Sequence, residues 1–224
     1  MLLPDRIRIL RPRGPRNAMD DFWRRFPLRQ GVLDRVKIII GQEPYRQSFG
    51  NRRLAVDSRS STHSFYRELG CVGFLVGDWI KIQDSLEMLF NLLFRHECAL
   101  SALDFLRSNR IDPVSFADSL WDRAGVALFN RTVDGEDKGV DIWCFARGQA
   151  EVSQEVLMLF AGEKAAHQFP GVCSNCKSAV AIHPSGVNLN NDPVKYSNTW
   201  YRCDENALRV VNGGFRLDEF RILR

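Results

Sequence analysis

The chain has 224 residues, of which 45% are hydrophobic and 11% aromatic, a composition typical of a folded globular protein and not of a disordered one. Its formal net charge of +4 is a mild basic excess that permits nucleic-acid binding without requiring it. The sequence shows no hydrophobic signal segment and no run of about 18 apolar residues, so we expect a cytoplasmic protein without a membrane partner.

The chain begins with an arginine-rich stretch. We predict a basic N-terminal arm over residues 1–18 and one domain over residues 19–224. The arm is either a phosphate-contacting extension or a solvated tail, and the sequence leaves both open. A short helix is predicted from Asp20 to Arg25. The arginines of the arm are Arg6, Arg8, Arg11, Arg13 and Arg16.

The first core strand is predicted at Val36 to Ile40, a continuous β-branched apolar run typical of a strand buried on both faces. It stops at Gly41 and is followed directly by Gln42 and Glu43. Ligands of open α/β sheets bind beyond the carboxyl ends of strands, so these polar residues lie where an active site is expected. An ordinary strand and turn with solvated polar residues is the alternative.

A helical segment is predicted next. Phe65 to Leu69 starts a helix, and apolar residues at near-helical spacing continue from residue 78 to residue 123. We interpret residues 71–123 as a helical insertion that shapes one rim of a cleft.

Further strands alternate with helical stretches, a pattern typical of a parallel sheet. The predicted fold is therefore α/β: one domain with a central parallel sheet, mostly four-stranded, flanked by helices. The later strands are predicted near residues 126–129, 141–145, 156–160 and 179–183.

Two of these strands also end in polar side chains. Asn130 closes the run that starts at Gly125, and His183 and Ser185 follow the run that starts at Ala179. A carboxylate, a histidine and two amides meeting at one sheet edge can orient a water molecule and stabilise an anion. The joint occurrence of these groups at strand ends indicates an active site more strongly than any one of them does.

Four segments resemble, in order, the signature motifs of the family 1 uracil-DNA glycosylases, which are G-Q-D-P-Y-H, G-L-A-F-S, G-V-L-L-L-N-T and H-P-S-P-L-S. A weaker match sets residues 156–162 against that family's F-L-L-W-G strand. The resemblance covers roughly residues 30 to 206. The four segments are Gly41-Gln42-Glu43-Pro44-Tyr45-Arg46, Arg53-Leu54-Ala55-Val56-Asp57-Ser58, Gly125 to Asn130, and His183-Pro184-Ser185-Gly186-Val187-Asn188.

The resemblance implies roles for the residues at the strand ends. Glu43 would orient water toward the anomeric carbon, and His183 would donate a hydrogen bond to the departing base. Gln42 and Asn130 would bind the flipped base, since an amide offers a donor and an acceptor side by side. Residues implied to contact DNA outside the base, with Val187 as the wedge that fills the vacated stack, are Arg46, Ser58, Ser61, Ser185 and Val187.

The chain departs from the family's motifs near the base. Glu43 replaces the catalytic aspartate and is one methylene longer, and Arg46 replaces a histidine. Val56 stands where the family has a base-stacking phenylalanine, which predicts a wider pocket without an aromatic platform. Tyr45, which in the family excludes a substituent at the pyrimidine 5-position, is retained.

The implied activity is that of a monofunctional DNA glycosylase that needs no cofactor and acts on single- or double-stranded DNA as a monomer. The departures favour a bulky modified cytosine of phage DNA, hydroxymethylated or glucosylated, and hence an antiviral role. Uracil excision in base excision repair is the alternative. A catalytically inactive DNA-binding homologue and an unrelated α/β hydrolase also remain open.

The cysteines give a weaker signal. Without a secretion signal we expect reduced thiols, and no metal is expected at the active site. Cys173 and Cys176 have the spacing of metal ligands, and Cys203 with His167 would complete a zinc site, although half a motif is weak evidence.

Overall fold

The structure is a computed structural model that describes residues 17–32, 35–43, 48–49, 52–53, 55–79, 84–152, 155–169 and 174–223. Its helices are α1 (Ala18–Arg25), α2 (Ser64–Leu69), α3 (Asp84–Phe94), α4 (His96–Ser108), α5 (Pro113–Ala124), α6 (Gly139–Val152), α7 (Glu163–Ala166), α8 (Gly186–Asn191) and α9 (Pro193–Trp200). Short 3-10 helices cover Ser58–Ser60, Gly77–Trp79, Glu205–Ala207 and Leu217–Phe220.

The strands are β1 (Val36–Gly41), β2 (Ser48–Phe49), β3 (Arg52–Arg53), β4 (Ala55–Asp57), β5 (Cys71–Val76), β6 (Val126–Asn130), β7 (Thr132–Val133), β8 (Glu136–Asp137), β9 (Val156–Ala161), β10 (Cys176–Ala181) and β11 (Arg209–Asn212). Within the described part, the central sheet has the order β11-β10-β9-β1-β6. Strands β10, β9, β1 and β6 are parallel, and β11 joins the edge antiparallel to β10.

This architecture confirms the predicted fold class: an α/β chain with a mostly parallel central sheet flanked by helices. The predicted four parallel strands carry an additional antiparallel edge strand that the sequence analysis did not anticipate. Strands β1, β6 and β9 are almost wholly buried, as their continuous apolar runs predicted. Among the described residues, no helix combines the length and the apolar character needed to cross a bilayer.

The prediction of a strand at residues 141–145 is wrong, because these residues lie inside α6. The segment contains residues of high strand propensity, but its buried positions Ile142, Ala146 and Ala150 recur every four residues. That spacing places them on one face of a helix, and tertiary packing of this face outweighs the local preference.

The predicted helical insertion at residues 71–123 is helical only from Gly77 onward. Its first six residues form β5, which pairs with β4 and packs against β6. The described residues after β5 form the short 3-10 helix Gly77–Trp79 and then α3, α4 and α5, with an aromatic core in which Phe116 contacts Trp79, Phe90 and Phe94. Strand β5 matters for the site, because it places Phe74 next to the end of β1.

Candidate functional site

The residues predicted at three strand ends meet in one cavity. This inner cavity, of about 210 Å³, is lined by Gly41, Gln42, Glu43, Phe74, Ser85, Asn130 and His183. It lies at the carboxyl ends of the parallel strands β1, β6 and β10, the edge at which α/β sheets bind ligands. The structure therefore brings together Gln42, Glu43, Asn130 and His183, as the sequence predicted.

The positions of Asn130 and Phe74 in the inner cavity depend on Gly41, the last residue of β1. Gly41 pairs with Asn130 in the parallel register of β1 and β6. A Cβ on Gly41 would lie 2.9 Å from the Asn130 Oδ1 atom and 3.1 Å from the ring of Phe74. Any larger residue would therefore displace the amide, the aromatic ring or both, so Gly41 is required for these two side chains to converge.

Backbone hydrogen bonds fix the loop that carries the carboxylate. The amide of Arg131 donates to the Gly41 carbonyl at 2.8 Å, and the amide of Thr132 donates to the Gln42 carbonyl at 2.9 Å. These bonds continue the β1–β6 pairing past the end of both strands. The Gln42 carbonyl is thus used inside the protein, and the Gln42 side chain is among the groups that line the cavity.

Arg131 anchors the other side of the same turn. Its guanidinium is buried, pairs with both carboxylate oxygens of Asp137 at 2.6 and 2.7 Å, and lies over the ring of Phe169. Hydrogen bonding to Arg131 holds the pKa of the Asp137 carboxyl below its usual range. The bidentate pair fixes the backbone immediately after Asn130 and so limits how far that amide can move.

His183 enters the inner cavity from the loop after β10, and its backbone is held on both sides. The Ile182 carbonyl accepts the indole N–H of Trp200 at 3.1 Å. The His183 carbonyl accepts the Ser185 amide at 2.8 Å and the Asn188 side-chain amide at 3.0 Å. Asn188, which the sequence analysis did not single out, therefore positions the histidine.

Gly162 supports the same histidine from below. It has a φ of 104°, and a Cβ there would lie 3.0 Å from the Cβ of His183. A side chain at this position would be strained by its backbone conformation and would press on the imidazole.

The surroundings of His183 favour the neutral imidazole. Burial lowers the pKa of His183 from its ordinary value, and the positive charge of Lys164 lowers it further. A neutral imidazole has one N–H group, which can donate a hydrogen bond to a developing anion.

A larger outer cavity, of about 510 Å³, adjoins the inner one and shares Gln42 and His183 with it. The rest of its polar lining consists of Glu163, Lys164, Ser185, Asn188, Lys195 and Arg209. Ser185, which the sequence analysis predicted to contact DNA, lies in the lining of this outer cavity.

The outer cavity carries excess positive charge. Arg209 and Glu163 neutralise each other through two hydrogen bonds, of 2.9 and 2.5 Å, which hold the pKa of Glu163 below its usual range. Among the described residues, neither Lys164 nor Lys195 forms an ion pair. These lysines could not be predicted as site residues from the sequence, because they lie on α7 and α9 and only the fold brings both to the same cavity.

Two of the predicted DNA-contacting serines are used inside the protein. Ser58 is fully buried and its hydroxyl donates to the carbonyl of Tyr66. The Ser61 hydroxyl, also buried, donates to Asp118 at 2.6 Å. These contacts contradict the prediction that Ser58 and Ser61 bind phosphates, since both hydroxyls already have partners and neither faces solvent.

Val56 is misplaced in the sequence prediction as well. It belongs to the hydrophobic core with 7% of its surface exposed, and the described lining of the inner cavity does not include it. The inner cavity nevertheless has an aromatic ring in its lining, that of Phe74, whose φ of 64° is one that non-glycine residues rarely adopt. The apolar run of β5 was visible in the sequence, but its approach to β1 was not.

Other predicted site residues lie outside the described part of the structure. Tyr45 and Arg46 belong to this group, as does the arginine-rich arm up to residue 16. Val187 lies in α8, but its side chain is also outside the described part.

The hypothetical zinc site is not supported. Cys176 is disulfide-bonded, so it is not a free thiol as expected and is not available as a thiolate ligand. Cys173 lies outside the described residues. Across the part of the chain that the structure describes, no three His, Cys, Asp or Glu side chains are grouped as metal ligands would be.

The chain matches no protein-family model, and no curated protein matches it.

Proposed function

We propose that this protein is a monofunctional DNA glycosylase that hydrolyses the N-glycosidic bond of a flipped non-standard pyrimidine. The observation that carries the proposal is the inner cavity, in which a carboxylate, a histidine, two amides and an aromatic ring converge. Its volume of about 210 Å³ is below the range of roughly 300–1,000 Å³ of pockets for drug-sized ligands, so a ligand of nucleobase size suits it. The motifs that resemble family 1 uracil-DNA glycosylases supply the carboxylate, the histidine and the two amides, and Phe74 lies outside these motifs.

The chemistry follows from what each side chain can do. Phe74 offers a ring face on which a base can stack, and Asn130 offers a donor and an acceptor to the edge of a pyrimidine. Glu43 orients a water molecule toward the anomeric carbon and stabilises the positive charge that develops there. His183, as a neutral imidazole, donates a hydrogen bond to the departing base as that base becomes anionic.

The outer cavity fits the DNA strand next to the flipped nucleotide. Lys164 and Lys195 give it positive charge, and Ser185 adds a hydroxyl donor. Contacts of this type bind phosphates irrespective of sequence and fix the position of the backbone. Because the two cavities share Gln42 and His183, a strand in the outer cavity would place a flipped base beside the catalytic groups.

Within this activity we propose a modified cytosine as substrate, hydroxymethylated or glucosylated, the sugar of the latter extending into the adjoining outer cavity; uracil is the alternative. Phe74 removes one of the arguments for a bulky base, because the aromatic platform is present after all. Support remains in the replacement of the family's aspartate by Glu43 and in Ser85, a small residue of the cavity wall that comes from the segment interpreted as an insertion. An Asn130 amide can be oriented to pair with either base.

The test is a base-release assay on matched oligonucleotides that carry uracil, hydroxymethylcytosine, glucosylated hydroxymethylcytosine or plain cytosine at one position. Each is assayed single-stranded and in duplex, and abasic sites are detected by alkaline cleavage. The proposal expects cleavage at a modified base and none at plain cytosine. Cleavage at uracil alone would select the repair enzyme, and binding without cleavage of any substrate would indicate the inactive DNA-binding homologue.

A further inference from the structure

A third cavity, of about 370 Å³, lies beside the start of β1. We call it the arginine cavity; its charged lining is Arg29, Arg35, Lys37, Glu219 and Arg221. A strand rises about 3.3 Å per residue, so this cavity is on the order of 16 Å from the end of β1 at which the inner cavity lies. A ligand bound there is therefore separate from the proposed glycosylase site.

Glu219, the acidic residue of this lining, already has a partner for each of its two oxygens. One oxygen of Glu219 accepts the amide of Arg216 at 2.7 Å, and the other pairs with Arg35. Arg35 also pairs with Glu155 at 3.0 Å. Glu219 and Arg35 thus neutralise each other and contribute little net charge to the cavity.

The other two arginines have guanidinium groups that are incompletely used. Nε of Arg221 is buried and has no hydrogen-bond partner in the structure, while its Nη2 contacts the sulfur of Cys203 at 3.2 Å. Arg29 is exposed, and its Nη1 reaches the Asp218 carbonyl only at 3.4 Å. Within the described residues, neither Arg29 nor Arg221 forms an ion pair.

Lys37 lies at the base of the same cavity, at the start of β1. Its Nζ donates to the carbonyls of Val32 and Arg35, at 2.9 and 3.5 Å, so its donors are directed into the protein. Among the charged residues of the lining, Arg29 and Arg221 therefore have the most donors left for a ligand.

We propose that the arginine cavity binds a phosphate group. Guanidinium groups present planar pairs of N–H donors that match the oxygens of phosphate, and a buried donor without an acceptor is satisfied when such an oxygen arrives. A phosphate has oxygens enough for both arginines at once, whereas a carboxylate carries a single charge and two oxygens. The phosphate is either that of a small phosphomonoester or a phosphodiester of nucleic acid. This site does not depend on the proposed glycosylase activity.

Titration calorimetry of the full chain with inorganic phosphate tests the proposal, with sodium acetate as the carboxylate probe. Arg29→Gln and Arg221→Gln should each weaken phosphate binding about tenfold or more, the loss expected for one charge-assisted contact. Arg123→Gln is the matched control, because Arg123 pairs with Asp20 on the surface of α5, outside the cavity. The exposed position of Arg29 keeps the test valid if Arg221→Gln fails to fold.

Equal loss in the control, no loss in Arg29→Gln, or no phosphate binding to the parent protein would overturn the proposal. Acetate binding as tight as phosphate binding would also overturn it. Addition of a short unmodified DNA duplex then distinguishes the two possible sources of the phosphate group. Displacement of phosphate from the arginine cavity supports a nucleic-acid phosphodiester, and retention of phosphate supports a small phosphomonoester.

Discussion

The inner and outer cavities share two residues but differ in almost every other respect. The inner cavity is small and its side chains are held by close contacts, such as those of Gly41 with Asn130 and Phe74. The outer cavity is larger, and its lining includes Lys164 and Lys195, which form no ion pair with any residue that the structure describes. Under the proposed function, base chemistry and strand binding depend on residue sets that overlap only at Gln42 and His183, so the two functions should respond largely separately to mutation.

The largest effect on base release without an effect on DNA affinity is expected when His183 is replaced. His183→Ala should lower the rate of base release by about 10²–10³-fold, the usual loss when one donor to a developing anion is removed. DNA affinity should change little, because the lysines of the outer cavity remain. His167→Ala, at an exposed position after α7, is the control. An equal loss of affinity and rate in His183→Ala would show that the two cavities do not act separately.

The aromatic platform gives the next largest effect. Phe74→Leu should cost about 1–3 kcal/mol of base stacking, or roughly 5–150-fold in excision efficiency, with no change in affinity for undamaged DNA. Phe90→Leu removes a buried ring away from the cavity and serves as the control for stability. If Phe90→Leu reduced excision as much as Phe74→Leu, the ring of Phe74 would have only a structural role.

The sequence predicted those site residues that stand at the ends of strands, and it did not predict those that reach the site through packing between distant segments. Gln42, Glu43, Asn130 and His183 follow buried strands directly, so strand pattern and topology were enough to bring them together. Phe74 was missed because it reaches the cavity through a strand that packs across the end of β1.

The same distinction holds for the fold, because the sequence predicted elements with a clear local pattern and did not predict the others. Buried apolar runs identified the four parallel strands, whereas β11 has exposed residues and no such run. The burial of Ser58 and Ser61 could not be read from the sequence either. Their partners, the Tyr66 carbonyl and Asp118, are set by the packing of α2 and α5.

The proposed binding of DNA phosphates in the outer cavity can be tested through the salt dependence of DNA affinity. Replacement of Lys164 and Lys195 together by glutamine should flatten the slope of log affinity against log salt by about 1.4–1.8, since each phosphate contact contributes about 0.7–0.9. The rate of base release at saturating DNA should stay close to that of the parent. Arg123→Gln, which removes one positive charge outside both cavities, is the control. An unchanged slope would remove both lysines from the DNA path.

The smallest effect concerns the titration of the histidine. The pKa of His183 lies below its ordinary value because of burial and of the charge on Lys164. Lys164→Gln removes a cation that disfavours the imidazolium, so the pKa should rise, while burial keeps it below the ordinary value. An NMR titration of the imidazole measures this directly. A pKa that falls or does not move would show that Lys164 does not act on His183.

The central claim is that Glu43 directs water at the glycosidic bond of a base held in the inner cavity. Single-turnover release of free base from the preferred oligonucleotide, compared for the parent, Glu43→Gln and Glu43→Asp, tests it most directly. Glu43→Gln should lose at least about 10²-fold in rate with DNA binding intact, and Glu43→Asp should keep more activity because the carboxylate remains. A Glu43→Gln rate within threefold of the parent would contradict the account.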